Sequence, residues 1–148
     1  MTSVSEIEFI SWGDIPDKYF SYENLQIWLL SLANNYGKKI ERLTYKFCND
    51  HEMLEMNRQF LSHDYLTDIL TFPEDRNISN KIRADILISW ERVQDNSKEY
   101  NISVKEELLR IMAHGLLHLI GFRDKSAEDI LIMRNAESHA INMWKEIG

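Results

Sequence analysis

The stretch SVKEELLRIMAHGLLHLIG, residues 103–121, decides the fold of this chain. Ser103 and Glu106 form an S-x-x-E capping box that predicts the start of a helix, and Gly121 predicts its end. Apolar residues cover most of the circumference between these two ends, and a helix that is apolar all round is buried. We therefore expect this helix to lie at the centre of the domain.

Two histidines interrupt the apolar surface of this helix. His114 and His118 are one helical turn apart, which brings their Cβ atoms to roughly 5–6 Å and lets both imidazoles bind one metal ion. Beyond Gly121 the chain can turn back, and the carboxylate of Asp124 can become a third ligand. Two histidines and one carboxylate leave a coordination position open, as catalytic zinc sites do. The pattern predicts a metallohydrolase with one Zn²⁺ per chain, or another divalent metal ion.

A structural role for the histidines is the alternative. A single histidine on an apolar helix is more often a hydrogen-bonded core residue, but burying two unpartnered imidazoles is costly, which favours the metal site. The spacing is that of the zinc-peptidase pattern H-E-x-x-H, yet position 115 is Gly rather than the glutamate that acts as general base. A peptidase mechanism of that kind is therefore disfavoured.

The composition is that of an ordinary globular protein. The chain has 148 residues, of which 44% are hydrophobic and 28% charged, and we expect one domain over residues 1–148. A lone cysteine, Cys48, and the absence of a signal-peptide pattern favour the cytoplasm, and no apolar stretch predicts a membrane span. The net charge of −7 argues against indiscriminate nucleic-acid binding, so a nucleic-acid function would need a local basic patch.

The rest of the chain alternates between strand and helix signals. Capping residues and apolar stripes predict helices that begin near Ser21, Asn49 and Ser126. The strand, helix and strand within 40–72 are compatible with a parallel crossover. We expect an α+β domain in which a small mixed sheet of about four strands packs with about five helices around the buried central helix. The β-prone runs that predict the strands lie at 5–10, 43–47, 68–72 and 84–89.

Several blocks of the sequence resemble one known family. HGLLHLIGFRDK, residues 114–125, resembles the H-G-x-L-H-L-x-G-Y-D-H signature of the YbeY family, bacterial metal-dependent endoribonucleases of ribosomal RNA maturation. Asn57-Arg58 with LTDILTFP at 66–73 is similar to the family's N-x-x-[YF]-R and P-T-D-V-L-S-F-P block. ADILIS at 84–89 is similar to its G-D-I-x-I-S strand, and Met133 with Glu137 matches the M-x-x-x-E of its last helix.

The resemblance implies roles for further residues. Arg58 would contact the substrate phosphate and share catalysis with His114, since a planar guanidinium suits phosphate oxygens. Asp68 and Asp85 would support the site. The residues alone favour a helix-surface side chain for Arg58 and the cap of a turn before a strand for Asp68. The resemblance further implies contacts with RNA, and His63 and Lys125 are the candidate residues for them. The alternative for His63 is a solvated loop side chain.

The family's third histidine falls at position 124, which is Asp in this chain. A carboxylate is a competent zinc ligand, so we expect the site to persist. The harder ligand moves the metal preference slightly towards Mn²⁺ or Mg²⁺.

Three hypotheses for the function follow. The first, implied by the resemblance, is a zinc-dependent endoribonuclease specific for single strands, which acts in ribosomal RNA maturation, including the 3′ end of 16S rRNA, and in ribosome quality control. Its partners would be ribosomal RNA and a ribosomal subunit; the sequence indicates no stable protein partner. The second is a metallohydrolase of another class, such as a peptidase or phosphoesterase. The third is a non-enzymatic ribosome-assembly factor whose metal is structural; a fourth protein ligand, for instance Glu128 or Asp129, would favour it.

Overall fold

The computed structural model describes residues 6–10, 15–61, 67–74 and 80–147. These residues form four strands and five helices, an α+β arrangement that confirms the predicted fold class. No helix in these ranges is both long and apolar enough to cross a membrane. The strands are β1 (Glu6–Ile10), β2 (Lys39–Cys48), β3 (Ile69–Pro73) and β4 (Lys81–Ser89), and the helices are α1 (Tyr22–Asn35), α2 (Asp50–Leu61), α3 (Trp90–Glu99), α4 (Val104–Ile120) and α5 (Ala127–Ile147).

The four strands form one mixed sheet in the order β1-β2-β4-β3. β1 and β4 both run parallel to β2, whereas β3 runs antiparallel to β4. The expectation of a parallel crossover within 40–72 is therefore wrong, because β3 is not the parallel partner of β2. The short connection from β3 to β4 permits only an antiparallel pair, since parallel neighbours need a crossover of a dozen or more residues.

The two faces of the sheet carry cores of different size. On one face, alternate residues of β2 and β4 such as Tyr45 and Ile86 join the large core with α1, α4 and α5. On the other face, α2 covers a small cluster of buried residues. Its members are Cys48, Met53, Leu70 and Leu87.

Helix α4 is the central helix that the sequence predicts. The Ser103 hydroxyl accepts a hydrogen bond from the Glu106 backbone N–H at 3.0 Å, and Gly121 ends the helix with φ 130°. Most apolar residues between these ends are buried, and the buried Tyr45 hydroxyl donates a hydrogen bond to the Met112 carbonyl at 2.8 Å. The predicted capping box at Ser126 forms as well, and the Asn49 side chain accepts the Glu52 backbone N–H, which leaves α3 as the helix that the patterns did not locate.

Candidate active site

A cavity of about 340 Å³ opens beside α4 on the large-core side of the sheet. β3 and the residues just before it line one part, the end of α3 another, and α4 and α5 the rest. The cavity brings together four of the predicted site residues, which are His114, His118, Asp124 and Asp68.

A buried carboxylate contacts Nδ1 of the His114 ring. Its Nδ1 lies 2.7 Å from Oε2 of Glu137, a residue of α5 that is only 3% exposed. Because a carboxylate accepts hydrogen bonds, this pairing keeps a proton on Nδ1 and turns the Nε2 lone pair towards the cavity. A histidine that ligates a metal is oriented by such a carboxylate or carbonyl in most proteins.

The carboxylate of Glu137 belongs to a larger buried charge network. Arg110 donates to both oxygens of the fully buried Glu107, at 2.7 and 2.6 Å, and to Oε1 of Glu137 at 3.3 Å. Burial alone would lower the pKa of Arg110, but its hydrogen bonds and charge interactions with Glu107 and Glu137 outweigh burial and raise it. Asn96 of α3 donates to Asp68 at 3.1 Å and to Glu107 at 3.4 Å, so the network joins α3, α4, α5 and the residue before β3.

The other ring nitrogen of His114, Nε2, faces Asp124. Nε2 of His114 and Oδ2 of Asp124 are 3.4 Å apart, and His118 lines the same cavity one turn further along α4. With the proton on Nδ1, Nε2 and the carboxylate oxygen both present lone pairs, so a cation between them would bind to both. Within the described ranges, no three His, Cys, Asp or Glu side chains already converge as metal ligands. Two imidazoles and one carboxylate are ligand types that fit Zn²⁺. For His114, His118 and Asp124 to bind one ion, their side chains must move closer together.

Position 115 faces away from this cavity. A Cβ built on Gly115 would lie 2.9 Å from Cδ1 of Ile69 and 3.0 Å from Cδ1 of Ile86, both in the sheet. A glutamate at this position would therefore point into the core rather than towards the histidines. The structure thus gives a packing reason for the glycine between the two histidines.

Other predicted residues lie elsewhere. Asp85 alternates with Ala84 and Ile86 along β4, so it lies on the opposite face of the sheet from α4, where it pairs with Arg42 at 2.9 Å. That hydrogen bond is the main cause of a raised pKa for Arg42. The structure does not bring Asp85 to the cavity, because neighbouring strand residues face opposite sides.

The two predicted cationic contacts also do not line the cavity. Arg58 is an exposed residue of α2, across the sheet from the histidines, and its guanidinium lies 3.5 Å from the Glu55 carboxylate. The arginine of the N-x-x-[YF]-R pattern corresponds in position to Leu61, not to Arg58. Lys125 is exposed beside Asp124 but does not line the cavity, and His63 lies outside the described residues.

Sequence reasoning missed the charge network and several residues of the cavity lining. Glu107, Arg110, His114 and His118 recur at helical spacing along one face of α4, a periodicity that could have been recognised. Tyr100 and Arg134 also line the cavity, and no pattern pointed to them because they belong to other elements. Neither Glu128 nor Asp129 is a fourth ligand candidate in the cavity lining; Asp129 instead accepts the Ser126 backbone N–H at 3.4 Å.

Together, the mixed sheet and the histidine and carboxylate cavity beside its buried helix define a small α+β protein with an enzyme-like site. The family model described as "Endoribonuclease YbeY" matches residues 15–145. The chain therefore belongs to the YbeY family of endoribonucleases, hydrolases that cleave RNA.

Individual relatives agree with this assignment. The chain is 43% identical over 121 residues to the endoribonuclease YbeY of Cytophaga hutchinsonii, which covers 82% of this chain and 84% of that protein. It is 41% identical over 128 residues to that of Flavobacterium johnsoniae, covering 84% and 91%. The solution structure of TM1509 from Thermotoga maritima superposes with a TM-score of 0.65 at 26% identity, over 95% of this chain and 92% of that one.

Proposed function

We propose that this protein is a metal-dependent endoribonuclease that cleaves single-stranded segments of ribosomal RNA during ribosome maturation, including the 3′ end of 16S rRNA. It acts in the cytoplasm on ribosomal RNA within a ribosomal subunit, and also in ribosome quality control. His114, His118 and Asp124 bind one Zn²⁺ ion per chain. The relatives named endoribonuclease YbeY support the RNA substrate.

One observation supports the metal site most directly. Glu137 holds Nδ1 of His114 at 2.7 Å, while Nε2 of the same ring faces the Asp124 carboxylate at 3.4 Å. A neutral imidazole in this orientation places two lone-pair atoms against each other, which is unfavourable unless a cation lies between them. The pair therefore suits a bound cation.

The residues of the cavity have different roles in the proposed reaction. When bound, a divalent metal ion supplies Lewis acidity towards a phosphoryl oxygen. Glu137 retains the proton on Nδ1 of His114 and fixes the plane of the ring. Arg110 offsets one of the two buried carboxylate charges behind that ring, which reduces their repulsion of a phosphate in the cavity. Thr71 also lines the cavity, and its hydroxyl can donate a hydrogen bond to a phosphate oxygen, whereas the Thr67 hydroxyl donates to the Ile69 carbonyl at 3.4 Å.

The test measures metal content and RNA cleavage in the same preparations. We expect about one divalent metal ion per chain in the purified protein, as in catalytic sites with three protein ligands. His114→Ala should lose both the metal and the cleavage of ribosomal RNA precursors. His139→Ala is the matched control, because His139 is an exposed residue of α5 outside the cavity, and it should keep both. Normal cleavage by folded, metal-free His114→Ala would overturn the proposal.

Two alternatives are separated by the same preparations. A peptidase would cleave casein, but Gly115 faces the sheet, so the chain has no general base at that position. A structural metal would leave the protein without nuclease activity and would lower the unfolding temperature when removed. Assays on RNA, casein and a simple phosphodiester in parallel distinguish the three functions.

A further inference from the structure

The cavity holds one arginine whose charge is not used by the fold. Of the two arginines among the described lining residues, Arg110 is bound to buried carboxylates. Arg134 projects from α5, is exposed, and makes no ion pair with a described residue. In a chain with a net charge of −7, an arginine at a cavity wall that has no carboxylate partner among the described residues can bind an anion.

An aromatic ring lies at the same cavity. Tyr100 follows the last residue of α3, its backbone N–H donates to the Asn96 carbonyl at 2.9 Å, and the residue is 49% exposed. Its ring makes no contact with another aromatic ring of the described chain. A half-exposed ring on an anchored backbone costs little entropy to use as a contact surface, because a tyrosine has only two rotatable side-chain angles.

We infer that Tyr100 and Arg134 form a subsite for one unpaired nucleotide, with the base stacked on the Tyr100 ring and a backbone phosphate bound by the Arg134 guanidinium. The inference rests on the proposed function, and it names the residues that recognise the substrate. A base can stack on a protein ring only when it is not paired and stacked within a duplex. The subsite therefore gives a physical reason for a preference for single strands.

The subsite also provides the local positive charge that binding of a nucleic acid requires. Arg58 belongs to α2, on the other face of the sheet, and does not line this cavity. Arg134 lines the cavity together with His114 and Asp124, and it supplies the positive charge there. The guanidinium can bind a phosphate through two parallel hydrogen bonds.

The experiment measures binding separately from cleavage. Fluorescein-labelled, single-stranded 2′-O-methyl oligoadenylate is titrated with the full-length protein at several salt concentrations, and its integrity is checked on a gel. Tyr100→Leu should weaken binding about tenfold, because stacking of one base on an aromatic ring contributes on that order, and Tyr100→Phe should restore it. Arg134→Ala should reduce the slope of log Kd against log salt by about 0.7, the value for one phosphate of a single strand.

Matched controls make the result specific. Lys145→Ala removes the same charge from the other end of α5 and should leave the salt slope unchanged. A base-paired version of the oligonucleotide should bind the wild type and Tyr100→Leu equally. Metal content and the unfolding temperature should stay the same in the Tyr100 and Arg134 variants.

The outcomes separate the subsite from the proposed function. If the wild type binds and cuts RNA but both Tyr100→Leu and Arg134→Ala bind as the wild type does, the subsite is wrong and the nuclease function stands. If the wild type neither binds nor cuts single-stranded RNA, the proposed function fails and the subsite fails with it.

Discussion

Glu137 connects His114 to the buried charge network through one carboxylate. One of its oxygens contacts Nδ1 of His114 and the other contacts Arg110. Glu137→Gln keeps the shape but can present its NH₂ group to the ring, which favours the wrong tautomer of His114. We expect metal affinity to fall by about 10–100-fold, as for other residues that orient a ligand, measured by competition with a chromophoric chelator.

The control for this prediction is Glu146→Gln, an exposed position of the same helix. It removes the same charge and should leave metal affinity unchanged. Equal affinities for Glu137→Gln and the wild type would show that the carboxylate does not orient the ring.

Gly115 illustrates how closely a single residue is packed. Alanine would favour the helix by about 1 kcal/mol relative to glycine. Its Cβ, however, would crowd Ile69 and Ile86 at 2.9 and 3.0 Å, and overpacking of a core typically costs about 1–3 kcal/mol. Because the crowded atoms are terminal methyl groups that can shift partly, we expect Gly115→Ala to reduce the free energy of unfolding by about 1 kcal/mol in urea titrations.

The second variant in this test is Ile69→Val, which removes the Cδ1 atom nearest to the new methyl group. Gly115→Ala should cost less in the Ile69→Val background than in the wild type. If the two costs are the same, the contact with Ile69 does not limit the size of residue 115.

At the level of elements, α2 and its cluster make a prediction about pH. Burial of Cys48, with added repulsion from the Glu52 carboxylate, raises the pKa of its thiol from 9.0 to about 12. A group with a raised pKa in the folded state stabilises the fold fully below its unfolded pKa, and that contribution is lost as the pH rises towards the folded value. Stability should therefore decline above about pH 9.

Cys48→Ala measures the share of this decline that comes from the thiol. The variant should start less stable, because it loses buried volume, but its free energy of unfolding should fall less steeply between pH 8 and pH 10. Thiol reagents should also react with the native wild type only as fast as α2 opens, since the thiol is buried and protonated. Parallel pH profiles for variant and wild type would contradict the assignment.

The elements were predictable where local signals are strong. The hydroxyls of Ser103 and Ser126 accept backbone N–H groups at helix starts, and the Gly121 backbone N–H donates at a helix end, so the sequence located α4 and the start of α5. α3 was missed because only Val93 and Ser97 among its residues are buried, which leaves almost no apolar stripe to recognise. The direction of β3 was not predictable from its residues, since it depends on the pairing with β4.

The geometry of the candidate site was likewise predictable within one helix and not where two elements meet. The spacing of His114 and His118 is a property of one helix, so the sequence could predict that they share a face. The pairing of His114 with Glu137 joins α4 and α5, and it depends on how the two helices pack. The alternation along β4 places Asp85 and Ile86 on opposite faces, but which of the two faces packs against α4 depends on the tertiary fold, so the location of Asp85 was not predictable.

At the level of the whole molecule, Arg110 determines whether the buried carboxylates are tolerated. Arg110→Met would leave Glu107 and Glu137 buried without their cation. Removing one partner of a buried ion pair typically costs about 3–5 kcal/mol, and we expect a loss of that size in the free energy of unfolding. Urea titration measures the loss, and the unfolding curve reports whether the variant still folds.

The comparison for this variant is Arg42→Met. Arg42 also pairs with two carboxylates, Glu74 and Asp85, but in a partly exposed network on the other face of the sheet. Because exposed ion pairs contribute about 0–1 kcal/mol, this variant should lose much less stability. Similar losses in the two variants would mean that burial does not govern the cost.

The position of α5 in the chain has a consequence for synthesis. Glu137 and Arg134 both belong to this helix, which follows every other described element. A nascent polypeptide therefore carries His114 and His118 before it carries the carboxylate that contacts His114 and the arginine proposed to hold RNA. The proposed site is therefore complete only after residues 127–147 have been synthesised and have docked against α4.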